Sequence, residues 1–382
     1  MTSSFSFELF NSAAALPLEW DTIVVDDLFL TRKYLQILEQ SAPANMKCHF
    51  IGIYNQNQLC GVALAQFLDL NQVPSFGARD KSLKTAVRNF AFKNFGAHVL
   101  VLGNNMLTGQ HAMAFAKNTP KTDAYSSIEQ ACKELKKRYK AIGKKVHITT
   151  YKDFEKEEIN TFEIPDFRNY YRFCTQPSMI FHIKEAWETE QDYIDALSKK
   201  YRDQYKRARK KATGIEKRKL KLEEIIKQEE RIYELYMHVA KNAPFNTFFL
   251  AKNHFRKLKE VLKDQFLFYG YFIEDRLIGF NTLLKHDKTM ETYFLGYDDS
   301  LQREKMLYLN MLYDMVAYSI NKGFHDIVFA RTALEIKSSV GAIPVKMFGL
   351  MRHSNPLINK CMPLLFPYLE PETIWQERNP FK

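Results

Sequence analysis

No run of about 18 uncharged apolar residues occurs anywhere in the chain, so a membrane-spanning helix is not expected. The opening Met-Thr-Ser-Ser-Phe-Ser-Phe-Glu-Leu-Phe has no basic stretch ahead of an apolar core, so a secretory leader is not expected either. Cysteine is scarce. The five residues, Cys48, Cys60, Cys132, Cys174 and Cys361, are odd in number and never in a Cys-x-x-Cys spacing, which argues against both a disulfide framework and a zinc site. A reducing cytoplasm is the simplest home for them. Histidines are isolated, and metalloprotease, nucleophile-elbow, phosphate-loop and dinucleotide signatures are missing. No metal is called for.

What is present is ordinary core material in quantity. With 382 residues, 46% of them hydrophobic and 26% charged, the chain has enough for about two or three domains. Thirty Phe and twenty Tyr imply either aromatic-packed cores or a cleft lined with rings. The net charge of +11 is concentrated: residues 199–221 hold twelve Lys or Arg against Asp203 and Glu216. The remainder is almost neutral, which argues against a protein that coats nucleic acid generally.

Two pairs of segments resemble each other in the same order. Ile51–Gly61 aligns with Tyr269–Gly279, each reading as strand, polar turn and strand. Asn94–Asn104 aligns with Asn321–Arg331, each reading as helix end, Gly cap and buried strand. A duplicated unit explains both. The two offsets differ by about one strand and its turn, which suggests that the second copy is complete and the first abbreviated through loss of a strand equivalent to Glu291–Tyr297. The charged segment Lys152–Phe167 is the expected join, giving an N-terminal part at 1–165 and a C-terminal part at 166–382.

In the second copy, strands are expected at Met179–Ile183, Phe266–Ile273, Leu277–Lys285, Met290–Tyr297 and Asp326–Ala330, with a charged edge strand at Ile215–Leu220. A helix at about Arg303–Asn321, ended by Gly323, would make the Met290–Tyr297 and Asp326–Ala330 strands a parallel crossover. A short helix, Thr332–Val340, follows, and a final strand runs from Gly341 through Met351. Polar groups just beyond the strand ends sit where open α/β sheets place ligands. Arg331 can fork a carboxylate or phosphate, Thr332 and Lys337 stand beside it as substrate contacts, and Glu335 can take a proton from an attacking amine. Thr332 and Glu335 also have the spacing of a capping box, which needs no substrate, and Lys337 reads equally as a solvated helix residue. Tyr293 and Tyr297 are four apart on one strand and so share a face. Tyr293 is then a substrate contact, while Tyr297 and Asp298 are further candidates for proton transfer; packing explains the rings as well. Along 199–211, Lys199, Arg202, Lys206, Arg209 and Lys210 recur at helical spacing and form a cationic side suited to a polyanion. Tyr201 and Tyr205 either stack on a base or pack.

Phe324–Met347, Tyr293-Phe-Leu-Gly-Tyr-Asp298 and the basic stretch Lys199–Arg209 together resemble the double-domain branch of the GNAT superfamily near the Fem-type peptidoglycan aminoacyltransferases, over roughly residues 175–355. The resemblance implies an α/β fold of tandem GNAT-like domains with mixed sheets flanked by helices. It also implies transfer of an acyl or aminoacyl group to an amine of a cell-envelope precursor or small molecule. The donor would be acyl-coenzyme A or an aminoacyl-tRNA, and the basic segment would meet tRNA or an anionic membrane surface. In coenzyme A-binding members a Gln/Arg-x-x-Gly-x-Gly/Ala loop follows the Tyr297 strand. Here Gln302 and Arg303 fit its first position and Lys305 adds charge, but Met306 and Leu307 replace the small residues. The competing reading is a non-catalytic GNAT-fold protein that binds a polyanion.

Overall fold

A computed structural model describes residues 5–25, 27–73, 96–174, 176–243, 246–369 and 375–382. The apolar and alternating runs build two mixed sheets with helices against them. The chain forms two compact units that interleave along the sequence. The first comprises Met1–Thr175, Pro244–Ala251 and Lys346–Glu372; the second comprises Gln176–Ala243, Lys252–Val345 and Thr373–Lys382. A single join near residue 165 does not capture this, because the first unit draws a strand and a helix from beyond residue 345.

The first unit contains strands β1 (Phe5–Phe10), β2 (Met46–Asn55), β3 (Gln58–Asp69), β4 (His98–Leu102), β5 (Met113–Phe115), β6 (Ile148–Phe154) and β7 (Tyr171–Cys174), with helices α1 (Arg32–Gln40) and α2 (Lys121–Ala141). The second contains β8 (Ser178–His182), β9 (Glu216–Lys219), β10 (Phe266–Ile273), β11 (Arg276–His286), β12 (Thr289–Tyr297), β13 (Asp326–Val328) and β14 (Ile343–Val345). Its helices include α3 (Glu190–Ala196), α4 (Lys199–Lys211), α5 (Glu229–Asn242), α6 (His254–Leu262), α7 (Asp299–Lys305), α8 (Leu307–Asn321) and α9 (Leu334–Ser338). Strand β15 (Phe348–His353) and helix α10 (Pro356–Leu369) return to the first unit. The sheets run β1-β2-β3-β4-β6-β15-β7, with β5 also on β3, and β14-β8-β13-β12-β11-β10-β9. The expected final strand from Gly341 through Met351 is therefore two strands, one in each sheet.

Both units run hairpin, third antiparallel strand, helix, parallel strand. In the second, β10, β11 and β12 pair antiparallel and β13 lies parallel to β12 after α8, as expected from the sequence. The charged strand β9 sits at the edge, also as expected. In the first, β2, β3 and β4 are antiparallel and β6 lies parallel to β4 after α2. The hairpin repeat at 51–61 and 269–279 thus maps onto like elements. The other pair does not: His98–Leu102 is a third antiparallel strand, whereas Asp326–Val328 is a parallel one. The first copy keeps the strand it was expected to lack. Asn94 and Phe95 of that comparison, and residues 74–80 of the link ahead of it, lie outside the described residues.

A buried charge pair ties β15 to α2. Glu129 is fully buried and accepts hydrogen bonds from the Tyr170 hydroxyl at 2.7 Å, the Tyr151 hydroxyl at 3.2 Å and Arg352 Nη2 at 2.7 Å. The Arg352 guanidinium also lies 4.7 Å from the Tyr170 ring centre. Within the second unit, α5 lies directly on β12. A side chain at Gly296 would meet the Leu235 and Tyr236 backbone at 2.6 Å, so only glycine permits this approach.

Removing one partner of a buried pair strands the other's charge. Arg352→Met is expected to lower the unfolding free energy of the first unit by about 3 kcal/mol, read by urea denaturation. The double variant Glu129→Gln/Arg352→Met recovers part of that loss. A single variant as stable as wild type would show that the pair does not hold β15.

Candidate functional site

Beyond β13 the backbone turns through three left-handed residues, Ala330 (φ 57°), Thr332 (φ 67°) and Ala333 (φ 48°). Each costs an L-residue about 1 kcal/mol or more. The turn persists because its carbonyls are held. Met179 N–H donates to the Ala330 carbonyl at 3.0 Å, and Lys337 Nζ donates to the carbonyls of Ala330 at 3.3 Å and Arg331 at 2.6 Å. Lys337 is 4% exposed, so it is neither a solvated helix residue nor a substrate contact at the surface. Burial alone brings its amine down from 10.5 to about 7.

The left-handed turn also removes the expected capping box. Helix α9 begins at Leu334 behind Ala333, with no side-chain cap. Thr332 is exposed, and Glu335 turns outward to pair with Arg378, whose Nε lies 3.1 Å from Glu335 Oε1. That pair stands at an open pocket of about 400 Å³ that also takes in Lys200, Tyr201 and Gln204 of α4 and Ser339. Gln204 Nε2 donates to the Tyr313 hydroxyl at 3.1 Å and Ser339 Oγ at 3.3 Å. The sequence expectation kept Glu335 and the basic helix apart; the fold brings them to one pocket.

Arg378 carried no signal of its own in the sequence. It arrives on the segment 375–382, which lies along the second unit. The Arg378 amide donates to Ser338 Oγ at 3.0 Å, Ser198 N–H donates to the Pro380 carbonyl at 2.8 Å, and Leu197 bridges Phe381. Phe381 packs against Phe181, Trp187 and Tyr193. Gly341 makes room for it: its φ is +110°, and a side chain there would meet the Phe381 ring at 2.5 Å. Trp375 and Phe381, large rings in an otherwise polar stretch, were the legible sign that this segment is anchored.

Along α4 the cations divide. Lys199, Lys206 and Lys210 are exposed, with no ion-pair partner among the described residues. Arg202 folds back on the Leu197 carbonyl at 2.9 Å. Arg209 faces the protein, bonding Asp314 Oδ1 at 2.7 Å and Glu190 Oε1 at 2.9 Å. It is a packing cation and not part of an outer stripe. Tyr201 is buried, and the Tyr205 hydroxyl donates to Glu190 Oε1 at 2.7 Å with its ring beneath Arg209. Both rings pack.

The remaining expected residues stand elsewhere. Between Asn281 and Leu283 the pairing of β11 with β12 shifts from Leu295 to Thr292, so β12 bulges at Tyr293 and Phe294. A bulge breaks the alternation that would put Tyr293 and Tyr297 on one face. The Tyr293 hydroxyl meets His254 Nε2 of α6 at 3.0 Å, while Tyr297 packs with the α8 core, 6.3 Å from Tyr308. Burial raises the Tyr297 phenol above its ordinary range. Asp298 is 6% exposed and accepts from Arg231 at 3.0 Å, Arg276 at 2.7 Å and Ser300 Oγ at 2.6 Å. Burial pushes its carboxyl up, but Ser300 and Arg231 outweigh it and hold it below the usual range. A carboxylate so satisfied is a poor proton acceptor.

Gln302, Arg303 and Lys305 lie in the seven-residue α7, which ends at the left-handed Met306. The Ser300 amide donates to Asp298 Oδ1, the Leu301 and Gln302 amides to the Asp298 carbonyl, and the Met306 amide to Gln302. Leu307 is buried. Four amides of this corner, those of Ser300, Leu301, Gln302 and Met306, are thus engaged within the chain. Met306 and Leu307 stand where coenzyme A-binding members carry small residues, so the backbone cannot be approached as closely as in such a loop.

Residues 199–338 match the family described as an acetyltransferase (GNAT) domain. Among solved structures, FemX is 12% identical, with 93% of this chain and 99% of that chain covered and a TM-score of 0.52. The tandem GNAT protein from the clavulanic acid biosynthesis pathway is 8% identical, with 92% and 99% covered and a TM-score of 0.51. At such identities the likeness concerns fold alone: the chain has the tandem GNAT architecture that these two structures share. No curated protein sequence matches it.

The Lys337 amine gives the site a pH signature. Above about pH 7 the folded chain releases the proton, whereas the unfolded chain keeps it up to about 10.5. The unfolded state then binds more protons, so stability rises with pH by about 1 kcal/mol per unit. Denaturation of wild type and Lys337→Met across pH 6–9 is expected to show their difference shifting in favour of wild type above pH 7. A flat difference would mean that the amine titrates as an ordinary lysine.

Proposed function

We propose that this chain, a tandem GNAT fold with an acetyltransferase-type domain in its second half, transfers an acyl or aminoacyl group to the amine of a cell-envelope precursor or small molecule. One observation carries the reading: Glu335 stands outward at an open pocket beyond the β13 turn, with the cations of Lys200 and Arg378 around it. Neither Asp298, held by two arginines and Ser300, nor Tyr297, packed with the core, offers the same access.

In the reaction so read, the acceptor amine gives up a proton to Glu335 and its nitrogen adds to the acyl carbon. The bond from that carbon to the donor's oxygen or sulfur breaks, and the leaving group takes a proton. Positioning supplies most of the acceleration; a well-placed base contributes about 100-fold or more. Bulky Met306 and Leu307, in place of the small residues of a coenzyme A loop, favour an aminoacyl ester over acyl-coenzyme A as donor. Exposed Lys199, Lys206 and Lys210 favour an anionic partner at α4, a polynucleotide or an anionic membrane surface. They also sustain the second reading, a GNAT fold that binds a polyanion without catalysis.

The test pairs radiolabelled acetyl-coenzyme A in one arm with bulk aminoacyl-tRNA in the other, each with a mixture of amine acceptors. Transfer is expected from the aminoacyl ester, and Glu335→Gln lowers its rate about 100-fold. Absence of transfer in both arms, or a Glu335→Gln variant as fast as wild type, would sink the enzymatic reading.

A further inference from the structure

We infer that the pocket selects an acceptor whose amine carries a carboxylate or phosphate close by: an amino acid, a peptide end or a phosphorylated amino alcohol. This rests on the transferase reading and names the substrate class of the same pocket. The charges around the opening are one carboxylate, Glu335, and two cations, Lys200 and Arg378. Glu335 and Arg378 are paired at the rim with their side chains 50% and 29% exposed. An ion pair so open to water is weak, so a ligand can part it readily.

What replaces the pair decides what binds. A simple amine would take Glu335 and leave Arg378 beside Lys200 with no counter-charge. A simple anion would take Arg378 and leave Glu335 facing it. A zwitterion exchanges one pair for two, its ammonium on Glu335 and its anion on Arg378 and Lys200. Like-charge contacts work against the other two classes, which is how discrimination is built.

The surroundings limit the separation of the two ligand charges. The backbone that carries Arg378 is fixed, because its own amide is held by Ser338 Oγ and the chain three residues on is seated by Phe381. Gln204 has its amide nitrogen engaged with Tyr313 and Ser339, which leaves its carbonyl oxygen as the remaining acceptor. Tyr201 lies beneath Lys200, the Nζ 5.3 Å from the ring centre, so that cation has an apolar rest beside the pocket. The space of about 400 Å³ takes a small headgroup or the end of a peptide. The carboxylate that recognises the ammonium is also the group that takes its proton, so recognition and activation coincide at Glu335.

Calorimetric titration of the full chain, with no acyl donor present, tests this with four probes: L-alanine, phosphoethanolamine, ethylamine and propionate. At least one of the two zwitterions is expected to bind at least tenfold tighter than ethylamine and propionate. Which of the two binds better tells whether the anion is a carboxylate or a phosphate. Arg378→Gln and Glu335→Gln are each expected to weaken the zwitterion about tenfold, and the surface variant Lys200→Gln to weaken it less. Lys200→Gln leaves the 375–382 segment intact, so it serves if Arg378→Gln fails to fold. Ethylamine binding as tightly as both zwitterions, no probe binding, or an affinity indifferent to Lys200 and Arg378 would overturn the inference. Should ethylamine nonetheless accept acyl groups in a Glu335-dependent way, the transferase reading stands and the selectivity falls. Zwitterion binding without transfer separates them the other way.

Discussion

Three left-handed residues within four positions would not persist beyond β13 if nothing held the turn's carbonyls, and the buried amine of Lys337 holds those of Ala330 and Arg331. A neutral amine has two hydrogens, and two carbonyls face it. The group that burial drives toward neutrality is therefore suited to its partners in that form. Fixing Ala330 and Arg331 fixes where α9 begins, and the start of α9 decides that Glu335 points outward. Without this clamp, the ordinary route out of the strand would be a capped helix, with Glu335 folded back on its own first turn.

A second constraint acts from the far side of the pocket. Phe381 occupies the space left by Gly341, and Arg378 is held three residues away. Both constraints converge on α9, Lys337 from beneath and Ser338 through the Arg378 amide. The rim is therefore anchored through the backbone on the carboxylate side and on the arginine side, while Lys200 on α4 stands exposed at the surface. Arg209, by contrast, is drawn inward by Asp314 and Glu190. A basic run in the sequence thus resolves into a structural anchor and a solvent-facing row.

The sequence was most readable where period and turn agree. The strands β10, β11 and β12 fall within about a residue of their expected limits, and the repeat at 51–61 and 269–279 marks like hairpins. It was least readable where only burial speaks. His-Val-Leu-Val-Leu at 98–102 and Asp-Ile-Val at 326–328 are both apolar runs, and nothing in such a run tells antiparallel from parallel pairing. The bulge at Tyr293 has no sequence mark, so strand parity misplaced that ring. Thr332 and Glu335 have capping spacing, but positive φ at Ala330 and Ala333 cannot be foreseen from alanine. Lys337 reads as a surface lysine because its burial depends on a turn that must first exist.

The position of β15 has a consequence for how the protein is made. It lies between β6 and β7, strands synthesised well before it, with nearly the whole second unit encoded in between. Until Phe348–His353 emerges from the ribosome, β6 is an unpaired edge of the first sheet, and β7, which pairs with β15 alone, has no place in it. Such edges are templates for stray pairing. The first unit is therefore completed only after nearly all of the second has been translated, and its β6 edge stays open for that interval.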